Sequence, residues 1–251
     1  GTTIYVGPNG SNDNYGFAKD DAVHCIARAI DVAELIGPQY GVYIVLLGDV
    51  NWFDEEYVEP YKLVVTNYGS SYPIDISSDE SLGRKARINT GPIYMVRTKI
   101  AVHNVAIDFQ DASWDMNVGA YCGYVLSSSL YFINVEMNNS IGREGFYIGD
   151  NSYMWCETST INTNVQNAVS GIYTANGSVC MFESSQMNGN FSVGTLRSSG
   201  GVHFNVHNLT GTCTGRRFAL YNYSTLSTNG AGPNAVPGTE EPYVDASSSY
   251  M

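Results

Sequence analysis

The feature that most restricts how this chain folds is a repeat. From about residue 90 onward, Ile100-Ala101-Val102-His103, Leu130-Tyr131-Phe132-Ile133, Met154-Trp155-Cys156-Glu157, Cys180-Met181-Phe182-Glu183 and Val202-His203-Phe204-Asn205 can be laid over one another, at offsets of 30, 24, 26 and 22 residues. A sixth copy begins at Leu226. Four residues past the end of each copy lies another large apolar side chain: Ile107, Met137, Ile161, Met187 and Leu209. Upstream of the copies sits a second short strand opened by glycine: Gly91-Pro92-Ile93-Tyr94, Gly123-Tyr124-Val125-Leu126, Gly145-Phe146-Tyr147-Ile148 and Gly171-Ile172-Tyr173-Thr174. Strand-like alternation inside a period of roughly 20–30 residues means stacked coils, each burying its apolar face only against the next.

Alternation also assigns the faces. Ile100, Leu130, Met154, Cys180 and Val202 form one inward column; Val102, Phe132, Cys156, Phe182 and Phe204 form another. The residues between them point outward. No helix recurs inside the period, and its irregularity argues against leucine-rich or propeller repeats, so the expected fold is an all-β parallel β-helix. Composition agrees. Only 14% of residues are Asp, Glu, Lys or Arg, against about 25% in ordinary domains, because turns every few residues call for Gly, Asn and Asp.

Ahead of the repeats, one helix is expected from Ala22 to Ile36, with Val23, Ile26, Ala27, Ile30 and Ala33 at three- and four-residue steps. Asp20 and Asp21 stand where a carboxylate caps the first amides, and Gly37-Pro38 ends it. This helix reads as a plug on the solenoid. The organisation is then residues 1–50 as N-terminal strand and capping helix, 51–230 as β-helix rungs, and 231–251 as a tail that leaves the repeat pattern.

Net charge and motifs narrow the function. Twenty-four acidic and 12 basic residues leave a formal charge of −12, which disfavours nucleic acid, whose phosphates need clustered Lys and Arg. No apolar run is long enough to insert in a membrane. Five widely spaced cysteines (Cys25, Cys122, Cys156, Cys180 and Cys213) contain no CxxC pair and read as buried free thiols. GxSxG, HExxH, P-loop and complete dinucleotide motifs are absent, so no cofactor or metal is expected. The Asn-x-Ser/Thr sequons, among them those at Asn138, Asn176, Asn190, Asn208 and Asn222, read as chance products of Asn- and Ser-rich turns.

The opening Thr3-Ile4-Tyr5-Val6-Gly7-Pro8-Asn9-Gly10-Ser11-Asn12-Asp13, followed by Ala29-Ile30-Asp31 and Tyr43-Ile44-Val45-Leu46, resembles the entry to pectate-lyase-like right-handed β-helices. Gly171-Ile172-Tyr173-Thr174-Ala175-Asn176-Gly177-Ser178-Val179 is similar to rungs of bacteriophage tailspikes and lateral tail fibres. So is Ala219-Leu220-Tyr221-Asn222-Tyr223-Ser224 leading into Asn229-Gly230-Ala231-Gly232-Pro233-Asn234. The resemblance covers most of the chain but is rung grammar, which specifies fold better than chemistry. It implies a right-handed pectin-lyase-like solenoid, homotrimeric, acting as an adhesin at a virion tail tip. Its partner would be a bacterial surface polysaccharide such as O-antigen or capsule. The alternative it carries is a depolymerase, a glycan hydrolase or lyase; a monomeric secreted lyase is a third. The solenoid is shorter than in the enzymatic members, which favours binding over cleavage, and the tail 231–251 would wrap neighbouring subunits.

Several residues are candidates for the chemistry. Glu157 and Glu183 fall in one outward column on consecutive copies. Adjacent strands lie about 4.7–4.9 Å apart, close to the roughly 5–5.5 Å between the carboxyls of a retaining glycosidase. They read either as that pair or as solvated, sugar-binding carboxylates. Asp111 and Asp115, with Asp108 and Trp114, form a loop able to grip a sugar by stacking and hydrogen bonds, or else a plain acidic turn. Tyr131 and Trp155 stack outward, followed by Met181 and His203, and face either sugar or another subunit. Asp54, Glu55, Glu56 and Glu59 read as a solvated loop beside Trp52. His203 and His207, four apart in a strand, are about 13 Å from one another and unsuited to a shared metal. Arg216-Arg217 reads either an acidic sugar or lipid-A phosphates, or fills a turn or interface.

Overall fold

The computed structural model describes residues 1–36, 41–54, 72–110, 121–166 and 168–251. Every strand pairing among them is parallel, consistent with an all-β parallel solenoid. One sheet, called A here, has ten strands stacked in chain order: Thr2–Val6, Val42–Leu46, Ile74–Ser78, Lys99–His103, Ser129–Ile133, Tyr153–Glu157, Val179–Glu183, His203–His207, Thr225–Ser227 and Ser249–Tyr250. A second sheet has two wings. Wing B runs through Val50–Asn51, Ala86–Thr90, Val105–Phe109, Glu136–Asn139 and Thr160–Thr163. Wing C runs through Ile93–Val96, Tyr121–Leu126, Glu144–Gly149 and Ala168–Ala175. The long strand Gln186–Ser199 pairs with both wings and joins them.

The inward columns are the core. Ile100, Leu130, Met154 and Cys180 are neighbours in register, as are Val102, Phe132, Cys156 and Phe182, and all are buried. Ile107, Met137, Ile161 and Met187 continue the core on wing B. Because a strand alternates faces, one error in register would turn the core outward. The copy at Val202 is misplaced by two residues rather than one, so it kept its faces: Cys180 pairs with Phe204, Met181 with Asn205, Phe182 with Val206 and Glu183 with His207. Leu226 then pairs with Phe204.

The corners are built from backbone geometry and small polar side chains. Between sheet A and wing B, Asn104, Asn134, Thr158, Ser184 and Asn208 all adopt the left-handed conformation, with φ from 48° to 59°. Asparagine tolerates this region because its short side chain can bond locally. Buried serines satisfy the amides between corners and strands. Ser152 accepts from the Ser128 amide at 3.1 Å, Ser178 from Ser152 at 3.0 Å, and Ser185 from Ser159 at 3.2 Å. On wing B, Asn188 donates to Asn162, Asn162 to Asn138 and Asn138 to Asp108, at 2.8, 2.9 and 2.8 Å. Like-for-like polar columns thus replace charge, which repeated in register would repel.

Two expectations are corrected. The helix, α1, spans Ile26–Ile36 rather than starting at Ala22, and Asp20 and Asp21 belong to a separate single turn, Lys19–Asp21. The reason is a competing ladder: the Val23 amide donates to Tyr5 and the Val23 carbonyl accepts from Gly7, while Cys25 bridges to Asn51. The last residues, expected to leave the pattern, extend it. Tyr243–Val244 pairs with Phe218–Leu220, and Ser249–Tyr250 with Thr225–Ser227. The proposed end of the helix at Gly37-Pro38 lies outside the described residues.

Candidate functional site

The outer face of sheet A carries most of the predicted residues. Tyr131 pairs with Trp155 and Trp155 with Met181, so that column forms as read up to Met181, but Asn205 follows it and not His203. Tyr153, one column over, packs against Tyr131 with ring centroids 5.6 Å apart and donates to the Met181 sulfur at 3.1 Å. All four side chains are half-buried. Glu157 and Glu183 are direct register neighbours at the sheet margin, continued by His207. Glu157 is half-buried and Glu183 exposed. His203 and His207 lie at opposite ends of one strand, and His203 Nδ1 sits 2.8 Å from the Thr225 hydroxyl.

The acidic loop resolves differently. Asp108 is buried and ion-paired with Arg87 while accepting from Asn138, so it belongs to the polar ladder of wing B. Asp111, Trp114 and Asp115 lie outside the described residues, as do Glu55, Glu56 and Glu59. Trp52 is buried in the core, and Asp54 is half-buried. No cluster of three or more His, Cys, Asp or Glu side chains able to hold a metal occurs among the described residues.

A second constellation, on wing C, was missed by the sequence reading. Tyr94, Tyr124, Tyr147 and Tyr173 are register neighbours on four successive coils, and Arg197 takes the same place on the fifth. All five side chains are half-buried. Tyr94 and Tyr124 stack at 4.7 Å, Tyr124 and Tyr147 lie 5.8 Å apart, and Tyr147 meets Tyr173 edge-on at 5.3 Å. Tyr121 lies against three of them, at 4.8 Å from Tyr124, 5.4 Å from Tyr147 and 6.3 Å from Tyr173.

Three residues earlier on each strand, Tyr121, Glu144 and Ser170 form a second column in register. Glu144 is only 5% exposed, yet it is ionisable. Arg197 reaches back across a coil to donate to Glu144 Oε1 at 2.6 Å, while its guanidinium lies over the Tyr173 ring at 4.3 Å. Burial pushes the Glu144 carboxyl above its ordinary range, and Arg197 and the Tyr121 hydroxyl oppose that shift. Burial likewise pushes the Tyr121 and Tyr124 hydroxyls up, so both stay protonated donors. Glu144 Oε2 and the adjacent Ser170 Oγ are buried with no hydrogen-bond partner.

The signal for this column was present but misaligned. Aligning the upstream strands on their glycines puts Tyr124 out of step with Tyr147 and Tyr173. The glycines answer to packing instead. A Cβ on Gly123 would sit 2.3 Å from the Phe146 ring, so Gly123 makes room for Phe146, which is its register neighbour. Aligning on tyrosine would have exposed the column.

No protein-family model matches the chain, and neither does any curated protein or solved structure.

Proposed function

We propose that this chain is a polysaccharide-binding module, the receptor-binding region of a phage tail fibre or tailspike, built as a right-handed parallel β-helix and working as a homotrimer at the virion tail tip. The observation that carries the binding reading is the tyrosine column of wing C. It sets half-buried rings and phenol hydroxyls at one residue per coil, along the axis on which a polymer would lie. Aromatic rings with a polar tip suit sugars, which offer apolar C–H faces and hydroxyl edges. Repetition along the axis lets many weak contacts add, and three copies add avidity.

The apolar outer face of sheet A, with Tyr131, Tyr153, Trp155 and Met181, then serves the contact between copies. Assignment to a phage tail rests on the rung resemblance of the sequence. The enzymatic alternative rests on Glu157 beside Glu183. Glu157 is half-buried and Glu183 exposed, a setting that suits solvated, sugar-binding carboxylates and leaves binding as the primary reading.

The test is a panel of immobilised O-antigen and capsule polysaccharides. Binding to a panel member, weakened at least tenfold by Tyr147→Ala with Tyr173→Ala, is the expected result. Undiminished binding in that variant would remove the column from the proposal. New reducing ends or unsaturated uronates on incubation would convert the adhesin into a depolymerase, and Glu157→Gln with Glu183→Gln should then abolish them. Light scattering should give a trimer of the 27.3 kDa chain; a monomer would remove the tail-tip assembly.

A further inference from the structure

We infer that the tyrosine column takes a sugar chain bearing carboxylates, of the uronic-acid class, and that Arg197 is the residue that reads the acid. This rests on the glycan-binding reading of the same face and adds the charge of the ligand to it.

The basic residues are unevenly placed along the chain. After residue 110 the chain has no lysine, and its basic side chains are Arg143, Arg197, Arg216 and Arg217. The fold gathers all four on wing C or its margin. Arg143 immediately precedes the strand Glu144–Gly149 and is exposed. Arg197 ends the tyrosine column. The Arg216 and Arg217 carbonyls accept from the amides of Thr195 and Leu196 on the adjoining coil. Arg216 lies 5.9 Å over the Tyr243 ring, with Glu240 as its backbone neighbour, and Arg217 Nη1 donates to the Glu240 carbonyl. In a molecule of formal charge −12, wing C and its margin thus hold every Lys and Arg that follows residue 110.

The state of Arg197 makes it the reader. Two contacts anchor its guanidinium, the Tyr173 ring 4.3 Å from Cζ and the bond from Nη1 to Glu144 Oε1 at 2.6 Å. Its remaining N–H groups have no protein partner among the described residues, and the side chain is 30% exposed. A guanidinium anchored over an aromatic ring and partly exposed to solvent offers a planar fork that matches the two-oxygen geometry of a carboxylate. Glu144 does not oppose such a ligand. It is buried, already neutralised by Arg197, and further screened by Arg143 alongside it. The flanking tyrosines supply the surface against which successive sugar rings lie, so a polymer with an acid on each ring would meet Arg197 in any axial register.

The experiment compares two polymers that differ only in the acid: polygalacturonate and its fully methyl-esterified form, each entrapped in a native gel. The acidic polymer should retard the protein, with the ester binding about 10-fold to 100-fold more weakly, the loss expected when a hydrogen bond to a charged group is removed. The net charge of −12 opposes general attraction of the whole molecule to a polyanion, and the variants at Arg197 separate its contribution from that of the other arginines. Glu144→Gln with Arg197→Gln, which removes both charges without leaving a buried carboxylate unpaired, should erase the difference. Arg197→Lys should retain only part of it, because the ammonium lacks the planar fork. Arg84→Gln, remote and paired with Asp49, should leave it intact.

Equal retardation by acid and ester, unchanged in the Gln variant, would overturn the acid inference while leaving glycan binding standing. Retardation by neither polymer would also overturn it, with glycan binding then judged by the wider panel and the tyrosine variants. An acid preference that survives loss of Arg197 would overturn the assignment of the reader.

Discussion

Arg197 and Glu144 stand on coils two apart, with the Tyr173 coil between them, yet their side chains meet at 2.6 Å. The pair crosses a stacking boundary twice and ties three coils together. Its energetics have a defined pH signature. A carboxyl whose folded pKa is raised stabilises the fold while it is protonated, below its unfolded value near 4.3. That contribution disappears as pH rises through the folded value. Glu144 is such a group, and Arg197 limits the shift. Arg197→Gln should therefore lower stability by roughly 1–3 kcal/mol at pH 7, the cost of leaving a buried charged group without its partner. At pH 4 the deficit against wild type should shrink, since the carboxyl is then largely neutral in both proteins. Urea unfolding of the two at both pH values measures this, and a deficit independent of pH would show that the pair is not ionic.

The serine ladder predicts a cost that surface serines lack. Ser152 Oγ accepts from the buried Ser128 amide at 3.1 Å and donates to the Gly149 carbonyl at 2.5 Å. Ser152→Ala strands that amide in a site water cannot reach, so about 1–3 kcal/mol should be lost. Ser140→Ala, at an exposed position, should change stability by less than about 0.5 kcal/mol. Equal losses at the two positions would mean the ladder contributes nothing to the fold.

How much of this could be read from the sequence depended on which face a residue occupies. Ile100, Leu130, Met154 and Cys180 were legible as a column because burial forces apolar identity at every coil. The same force tolerated a two-residue slip at Val202, since alternation repeats every two residues and Val202 is itself buried. The tyrosine column was harder. Outward positions are free to vary, and the glycines that seemed to set their register answer to a neighbour's ring, as Gly123 does to Phe146. Glu144 was invisible because nothing local announces that a carboxylate will be buried. Its partner lies 53 residues away in sequence, and only coil stacking brings them together.

The five cysteines are free and buried, and burial pushes their thiols well above the ordinary range, to about 12 for Cys25 and Cys180 and about 11 for Cys213. The thiolate is the reactive species. Native protein treated with iodoacetamide at pH 8 should accordingly gain no adduct within the time that labels a free thiol fully, and five adducts after denaturation without reductant. Mass spectrometry reads both. An adduct on native protein would locate a coil that opens, and fewer than five after denaturation would reveal a disulfide.

Thr158 offers a prediction of the opposite sign. It occupies the left-handed corner at φ 48° where Asn104, Asn134 and Asn208 stand on other coils. A β-branched side chain fits that region poorly, because its Cβ substituents crowd the backbone. Such strain costs on the order of 1–3 kcal/mol, and Thr158 is exposed, so little packing offsets it. Thr158→Asn should therefore raise stability by about 1 kcal/mol, or roughly 2–4 °C in Tm for a chain of this size. Part of that gain would come from extending the amide stack already begun where Asn134 Nδ2 donates to Asn104 Oδ1 at 2.6 Å. Thr158→Gly, which relieves the strain without adding an amide, separates the two contributions, less the chain entropy that glycine adds to the unfolded state. If both variants are less stable than wild type, the corner is not strained at Thr158. The recurrence of asparagine there would then reflect the side-chain stack rather than the backbone.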